Sequence, residues 1–411
     1  MTTEVVDRAK FDKAARPDYQ VWDVDHHYYE PAEAFLRHLP EKFKNGYRYL
    51  SIDGRTKLAL NNLIQEFIPN PGFEVVARPG SHENFYRGNN PEGLTLREMG
   101  GKPMRSVAAF HNGKAHLELM DELGLHAALV FPTMAVILEE RLGHTDPELL
   151  IALFHSLNQW VAEEYGFGNG RQYPVGAIAM VDPVRALEEL NFLISAGCNA
   201  IQVRSAPIRL PLGTISPADP VFDPFWARCA EAKVLVCSHV GDAGYDKLYR
   251  DWAGTLASGA REAQPFNKGA MKESFDNMGR PAADFLCTLV CSGVFDRHPG
   301  LKVAIVEAGS AWVGPMLDRL RRVYHKLPQE FKKDPVQAIR DHVYIMPFYE
   351  DSARHLGELL GMDKVVFGSD WPHPEGMGEP LEYYADIADL TPAEQKMVMC
   401  DNLKDLMEGR W

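Results

Sequence analysis

Short runs of β-branched and aliphatic residues, each closed by a polar or small residue, recur at 21–27, 127–133, 173–180, 200–205, 234–239, 302–309, 343–348 and 364–370. They have the length and β-branched content of buried strands. Between them apolar residues return at helical spacing, as in HLELMDELGL, DPELLIALFHSLNQWVAEEY and DPVRALEELNFLISAGC. Two of these helices carry start signals, Asp146-Pro147 and Asp182-Pro183, with an acceptor at the cap and proline where the first turn tolerates it. Eight alternations of strand and helix predict an α/β fold of the (β/α)8 TIM-barrel type. Its parallel strands are buried on both faces and so read as continuous apolar runs. A doubly wound open sheet is the alternative, but no Gly-rich phosphate loop follows any strand, and no nucleotide cofactor is expected.

Two connections exceed ordinary turns. Residues 31–112, including NPGFEVVARPGSHENFYRGNNPEG, and residues 241–278 are rich in glycine, proline and charge. They read as long insertions after strands 1 and 5, serving as lids, binding loops or subunit arms. The expected organisation is an N-terminal arm over 1–20 and one metal-dependent barrel over 21–411, in a homo- or hetero-oligomer. Hydrophobic residues make up 45% of the 411, enough for one large core. A net charge of −14 argues against nucleic acid and anionic membrane as partners. The start, MTTEVVDRAK, has no apolar run of a signal peptide and no window suits a membrane span, so a cytoplasmic location is expected. Cys198, Cys229, Cys237, Cys287, Cys291 and Cys400 are scattered without a CxxC pair, which reads as reduced thiols rather than a thiolate metal site.

Barrel chemistry sits where strands end at their carboxyl side. Strand 1 ends in Asp25-His26-His27, strand 5 in Ser238-His239, strand 6 in Glu307 and strand 8 in Ser369-Asp370. Because side chains alternate along a strand, Asp25 and His27 share one face and His26 takes the other. A lone His or Asp at a strand end is more often a hydrogen-bonded core group than a ligand. The joint placement of Asp25, His27, His239, Glu307 and Asp370 is what points to a metal. Carboxylates and imidazoles without thiolates suit zinc, manganese or iron and argue against a purely structural zinc site. His373, in GSDWPHPEG, is a further ligand or proton carrier, and Asp370, Glu307 and His373 are the catalytic candidates. Arg204 is a candidate clamp for a substrate carboxylate, against an ion pair between elements. Tyr28, Trp312 and Trp371 are candidate pocket walls, with Tyr29 and Tyr349 beside them. His26 and Ser369 are expected to stand behind the ligands, and Glu30, next to Pro31, to turn away from the metal.

DVDHHYYEP, CSHVGD, RHPGLKVAIVEAGSAW and FGSDWPHPEG together resemble the amidohydrolase-related family, in its aminocarboxymuconate-semialdehyde decarboxylase-like branch. The resemblance runs from about Val21 to the end and implies a barrel whose metal is held by Asp25, His27, His239 and Asp370. The sequence departs from the family at two places. Strand 6 offers Glu307 where the decarboxylases carry a His, and strand 4 offers Arg204 where some hydrolases carry a carboxylated Lys. A carboxylate is able to bridge two cations, so the leading expectation is a dinuclear Fe or Mn/Fe oxygenase, resembling dinuclear non-haem hydroxylases of this barrel family. It would use dioxygen and an electron donor to hydroxylate a small organic, carboxylate-bearing substrate. The alternative is a mononuclear Zn- or Mn-dependent hydrolase or non-oxidative decarboxylase. A lesser one is a non-catalytic barrel subunit of a hetero-oligomer.

Overall fold

The structure, a computed structural model, describes residues 17–68, 70–254, 269–275 and 278–411. The expected arm over 1–20 and the insertion over 241–278 therefore lie partly outside the described residues.

Among the described residues, seven barrel strands run parallel. Trp22–Tyr28 pairs with Ala127–Pro132, and Ala127–Pro132 with Gln172–Pro174. Gly176–Ala177 pairs with Ala200–Gln202, followed in order by Leu235–His239, Val303–Val306 and Val343–Ile345. The third strand, expected as one run over 173–180, is thus two short pieces that hand the sheet from one neighbour to the next. Gly176 sits tightly there: a β-carbon on it would stand 2.5 Å from Leu193 Cδ1.

The eighth strand is a correction, since 364–370 forms no regular strand. The segment still fills the last slot: Val366 N–H donates to Ile345 O, Val24 N–H to Phe367 O, Asp370 N–H to Asp25 O and His27 N–H to Trp371 O. These bonds lie between the seventh strand and the first and close the barrel. Two local features break the pattern. Gly368 lies so close to strand 1 that a β-carbon would meet that of Asp25 at 2.8 Å, and Asp370 has a φ of +54°. Glu307, at φ +57°, likewise ends strand 6 earlier than expected, at Val306. Left-handed backbone at a non-glycine residue interrupts extended pairing and concentrates at functional sites.

The helices between the strands follow the predicted starts. Asp146 accepts from Leu149 N–H at the head of Pro147–Glu164, and Asp182 from Val184 and Arg185 N–H at the head of Pro183–Ser195. Residues 31–112 hold their own antiparallel sheet, Tyr47–Ile52 with Arg55–Leu60 and Leu63–Ile64, and a small ribbon of Val75–Val76 with Met104–Arg105. The hairpin turns at Asp53-Gly54, both at positive φ, as an Asp-Gly pair favours. Among the described residues, no helix is long and apolar enough to cross a membrane.

Candidate metal centre

At the carboxyl end of the barrel, ligand atoms of Asp25, His27, His239 and Glu307 lie within 4.8 Å of one another. Asp25 and His27 leave strand 1 on the same side, as alternation requires. His27 Nε2 is 3.1 Å from Asp25 Oδ1 and 3.1 Å from His239 Nε2, which is itself 3.2 Å from Asp25 Oδ1. His239 Nε2 lies 3.4 Å from Glu307 Oε2, and His27 Nε2 3.4 Å from Asp370 Oδ1. His239 Nδ1 is 2.8 Å from the Val240 carbonyl, which can only accept, so that nitrogen carries the proton and Nε2 presents a lone pair to the cluster.

This set fits a divalent cation. Two imidazole lone pairs and a carboxylate oxygen converge on one point, and bonds of about 2.1 Å in a tetrahedron put donors about 3.4 Å apart. Asp25 Oδ2, His27 Nδ1 and Asp370 Oδ2 are buried with no hydrogen-bond partner. Several carboxylates sunk in one spot without a cation are costly, and among the described residues the ion-pair partners of Asp25, Glu307 and Asp370 are histidines rather than lysine or arginine.

Titration follows from the same crowding. Burial opposes ionisation of Asp25, but the imidazoles of His239 and His27 outweigh it and hold its carboxyl below the usual range. Burial, then the Asp370 charge, push Glu307 well up, and burial with the Asp25 charge does the same to Asp370. Burial, then His373, keep His27 well below an ordinary histidine. Burial opposes charge on His239 too, but the Asp25 and Glu307 carboxylates outweigh it and raise its pKa.

A second ligand group adjoins the first: Glu307, Asp370, His373 and Glu375. His373 Nδ1 is 2.6 Å from Asp370 Oδ1, and its Nε2 is 3.1 Å from Thr133 Oγ1. The loop carrying His373 and Glu375 folds back so closely that a β-carbon on Gly376 would collide with the Asp370 carbonyl. Glu375 and Thr133 were not singled out from the sequence, although Glu375 stands two residues after His373 in the same motif.

The centre forms the floor of a cavity of about 640 Å³, to which His27, His239, Glu307 and His373 contribute. Trp312 lines it, with its indole N–H bonded to the Ala308 and Gly309 carbonyls, and so does Tyr29, stacked on Phe73. Three expected substrate contacts are corrections. Tyr28 is fully buried against Trp160 and Tyr165, because at its register position it faces the surrounding helices rather than the axis. Trp371 turns the other way as well, stacked on His26 with 5.2 Å between ring centroids. Arg204 is held by Glu140 at 2.6 Å and by the carbonyls of Asp242 and Pro207, away from the large cavity. Tyr349 is buried with its hydroxyl on the Glu375 carbonyl.

Behind the ligands, Asp23 accepts from Asp25 N–H, Ser369 N–H and Ser369 Oγ–H, which joins strand 1 to the closing segment. Burial moves Asp23 up to about 8. His26 is fully buried and meets His116 Nε2 at 3.0 Å. Glu30 does turn from the metal, but it remains buried, and its carboxylate accepts from the backbone N–H groups of Thr133, Met134 and Ala135 at the head of the helix Ala135–Leu142. No sequence signal marks that cap, because the partner lies about a hundred positions away.

The amidohydrolase family model matches residues 22–404. A crystal structure of an amidohydrolase from Mycobacterium avium subsp. paratuberculosis K-10 is 35% identical, superposes with a TM-score of 0.88 and covers 95% of this chain and 100% of its own. The 2-amino-3-carboxymuconate-6-semialdehyde decarboxylase of Dictyostelium discoideum is 23% identical over 272 residues, 64% of this chain and 68% of that protein. A dihydroxybenzoic acid decarboxylase from Polaromonas sp. JS666, solved with bound manganese and the inhibitor 2-nitroresorcinol, shares the fold. It is 17% identical with a TM-score of 0.53, covering 80% of this chain and 94% of that one. With a barrel closed around converging Asp and His ligands and a family match over nearly its whole length, this chain belongs to the amidohydrolase family, as a metal-dependent enzyme.

Proposed function

We propose that this protein is a metal-dependent, non-oxidative decarboxylase acting on a carboxylate-bearing organic molecule. The observation that carries this reading is the convergence of Asp25, His27, His239 and Glu307 at the floor of a large cavity. The two decarboxylases described above favour it over the oxygenase expected from Glu307. Manganese in one of those relatives agrees with the carboxylate and imidazole donors here.

Asp25, His27, His239 and Glu307 would hold the cation, which when bound supplies a Lewis acid for a substrate carboxylate. The remaining steps belong to side chains. Decarboxylation breaks the bond between the carboxyl carbon and its neighbour, leaves the electron pair on that neighbour, and needs one proton there as carbon dioxide departs. Asp370 and His373, hydrogen-bonded to each other with His373 facing the cavity, hold that proton. Thr133 Oγ1 fixes the other edge of the His373 ring. The balance requires neither an oxidant nor an electron donor.

The test uses manganese-loaded protein without oxygen, with carboxyl-labelled aromatic and unsaturated acids. Labelled carbon dioxide should be released, and in D2O one deuterium should enter the vacated carbon. Asp370→Asn should retain substrate binding and lose both. Turnover that consumes dioxygen would overturn the proposal and favour a second reading, a two-metal oxygenase, which rests on the adjoining group Glu307, Asp370, His373 and Glu375.

A further inference from the structure

We infer that the substrate is a bulky, mostly apolar molecule of several rings bearing a single carboxylate, rather than a one-ring acid. This rests on the carboxylate chemistry proposed above and adds size and charge.

The first observation is volume. At the ~30 Å³ that a water molecule occupies in the liquid, the cavity of about 640 Å³ takes roughly twenty non-hydrogen atoms. That is about twice the size of benzoate and falls within the roughly 300–1,000 Å³ of pockets for drug-sized ligands. The second is the wall. Beside the metal ligands the lining includes Ile68, Phe73 and Val76, all from the segment between the first two strands, together with Tyr29, Trp312 and Phe348. Phe73 and Val76 are buried, and Phe73 is pinned by its stack on Tyr29, with centroids 4.6 Å apart and rings 16° from parallel. Such a surface is formed before the ligand arrives, and it rewards apolar area on the ligand beyond its carboxylate.

The third observation is charge. Among the described residues lining the cavity, seven carboxylate side chains face one basic side chain, Lys272. Arg204, the arginine expected to grip an anion, is turned away and held by Glu140. A second anionic group on the substrate would lie among these carboxylates with no arginine to receive it. Among the described residues, the metal centre is thus the place built for a carboxylate, and the acidic lining favours a neutral or cationic remainder of the molecule.

The experiment is isothermal titration calorimetry on the full-length, manganese-loaded protein with three probes: benzoate, pyrene-1-carboxylate and a pyrene dicarboxylate. Pyrene-1-carboxylate should bind about tenfold or more tighter than benzoate, and the dicarboxylate about tenfold weaker than pyrene-1-carboxylate. Val76→Phe, which narrows the cavity, should weaken pyrene-1-carboxylate by about tenfold while benzoate stays within about twofold. Benzoate binding to the same variant also reports that its site is folded, and Val136→Phe is a second variant in the cavity lining. Equal affinity for benzoate and pyrene-1-carboxylate, or for the mono- and dicarboxylate, overturns the inference. Because heat rather than turnover is read, the two proposals fail separately. Release of carbon dioxide from one-ring acids with no preference for the pyrene acid sinks this one alone. Tight, V76F-sensitive binding of pyrene-1-carboxylate with no acid decarboxylated supports it and sinks the reaction.

Discussion

Glu307→Gln should move stability in opposite directions with and without metal. Glu307 and Asp370 have ligand atoms within 4.8 Å of each other in a buried site. Two ionised carboxylates at that separation repel by roughly 3 kcal/mol at an effective dielectric of ~20. Without a cation the protein bears that repulsion or takes up a proton to avoid it, consistent with the raised Glu307 pKa caused by burial and Asp370. A carboxyl with a raised folded pKa contributes fully below its unfolded value of 4.5, and its contribution falls as pH climbs above that. Gln keeps the shape and cannot ionise. Metal-free Glu307→Gln should therefore be more stable than wild type by about 3 kcal/mol near neutrality, which is a rise of about 3 °C in a chain this long. The gap should narrow toward pH 5. With metal the order reverses, because losing a charged ligand costs at least the ~100-fold in affinity seen for outer partners of metal sites, or about 3 kcal/mol of metal-linked stability. Differential scanning calorimetry after chelation and after manganese loading, at pH 5 and pH 8, measures all four states. A metal-free variant that melts below wild type at both pH values would refute the reasoning, because Glu307 would then be a structural partner and not a charge stored for a cation.

Other substitutions test the remaining contacts. Glu30→Ala removes the acceptor for three N–H groups at the head of Ala135–Leu142 and should cost on the order of 3 kcal/mol in urea unfolding. Burial raises the Glu30 pKa to about 7, so the stability this carboxyl contributes is complete below its ordinary value of 4.5 and falls as pH rises through about 7, a dependence a Glu30→Gln variant should lack. Tyr28→Phe deletes a buried hydroxyl with no partner and should leave KM and kcat unchanged while stabilising by about 1 kcal/mol; a changed KM would return Tyr28 to the pocket. Arg204→Leu leaves Glu140 with only the longer Arg209 contact at 3.5 Å and should cost on the order of 2 kcal/mol in stability with KM unchanged; a large rise in KM without loss of stability would restore the clamp.

Much of the architecture was legible in the chain. Continuous apolar runs such as VAIV reveal strands buried on both faces, and the period of two along strand 1 puts Asp25 and His27 on one side. Acidic caps before proline mark helix starts at Asp146 and Asp182, because capping is a contact within one turn. These are local consequences of backbone geometry, and residues a few positions apart are enough to specify them.

What only the tertiary structure decided involves partners far apart. The eighth slot of the barrel is filled by backbone bonds from 366–371 to strands 1 and 7, although the segment forms no regular strand, and the close approach of Gly368 to Asp25 depends on that closure. Glu30 caps a helix about a hundred residues on, Arg204 is taken by Glu140, and Trp371 stacks on His26. Alternation states that a side chain leaves one face of a strand but not what the opposite element presents there. That assignment is made when the sheet curls shut, and it is the same closure that brings His27 Nε2 within 3.1 Å of His239 Nε2 across 212 residues of chain.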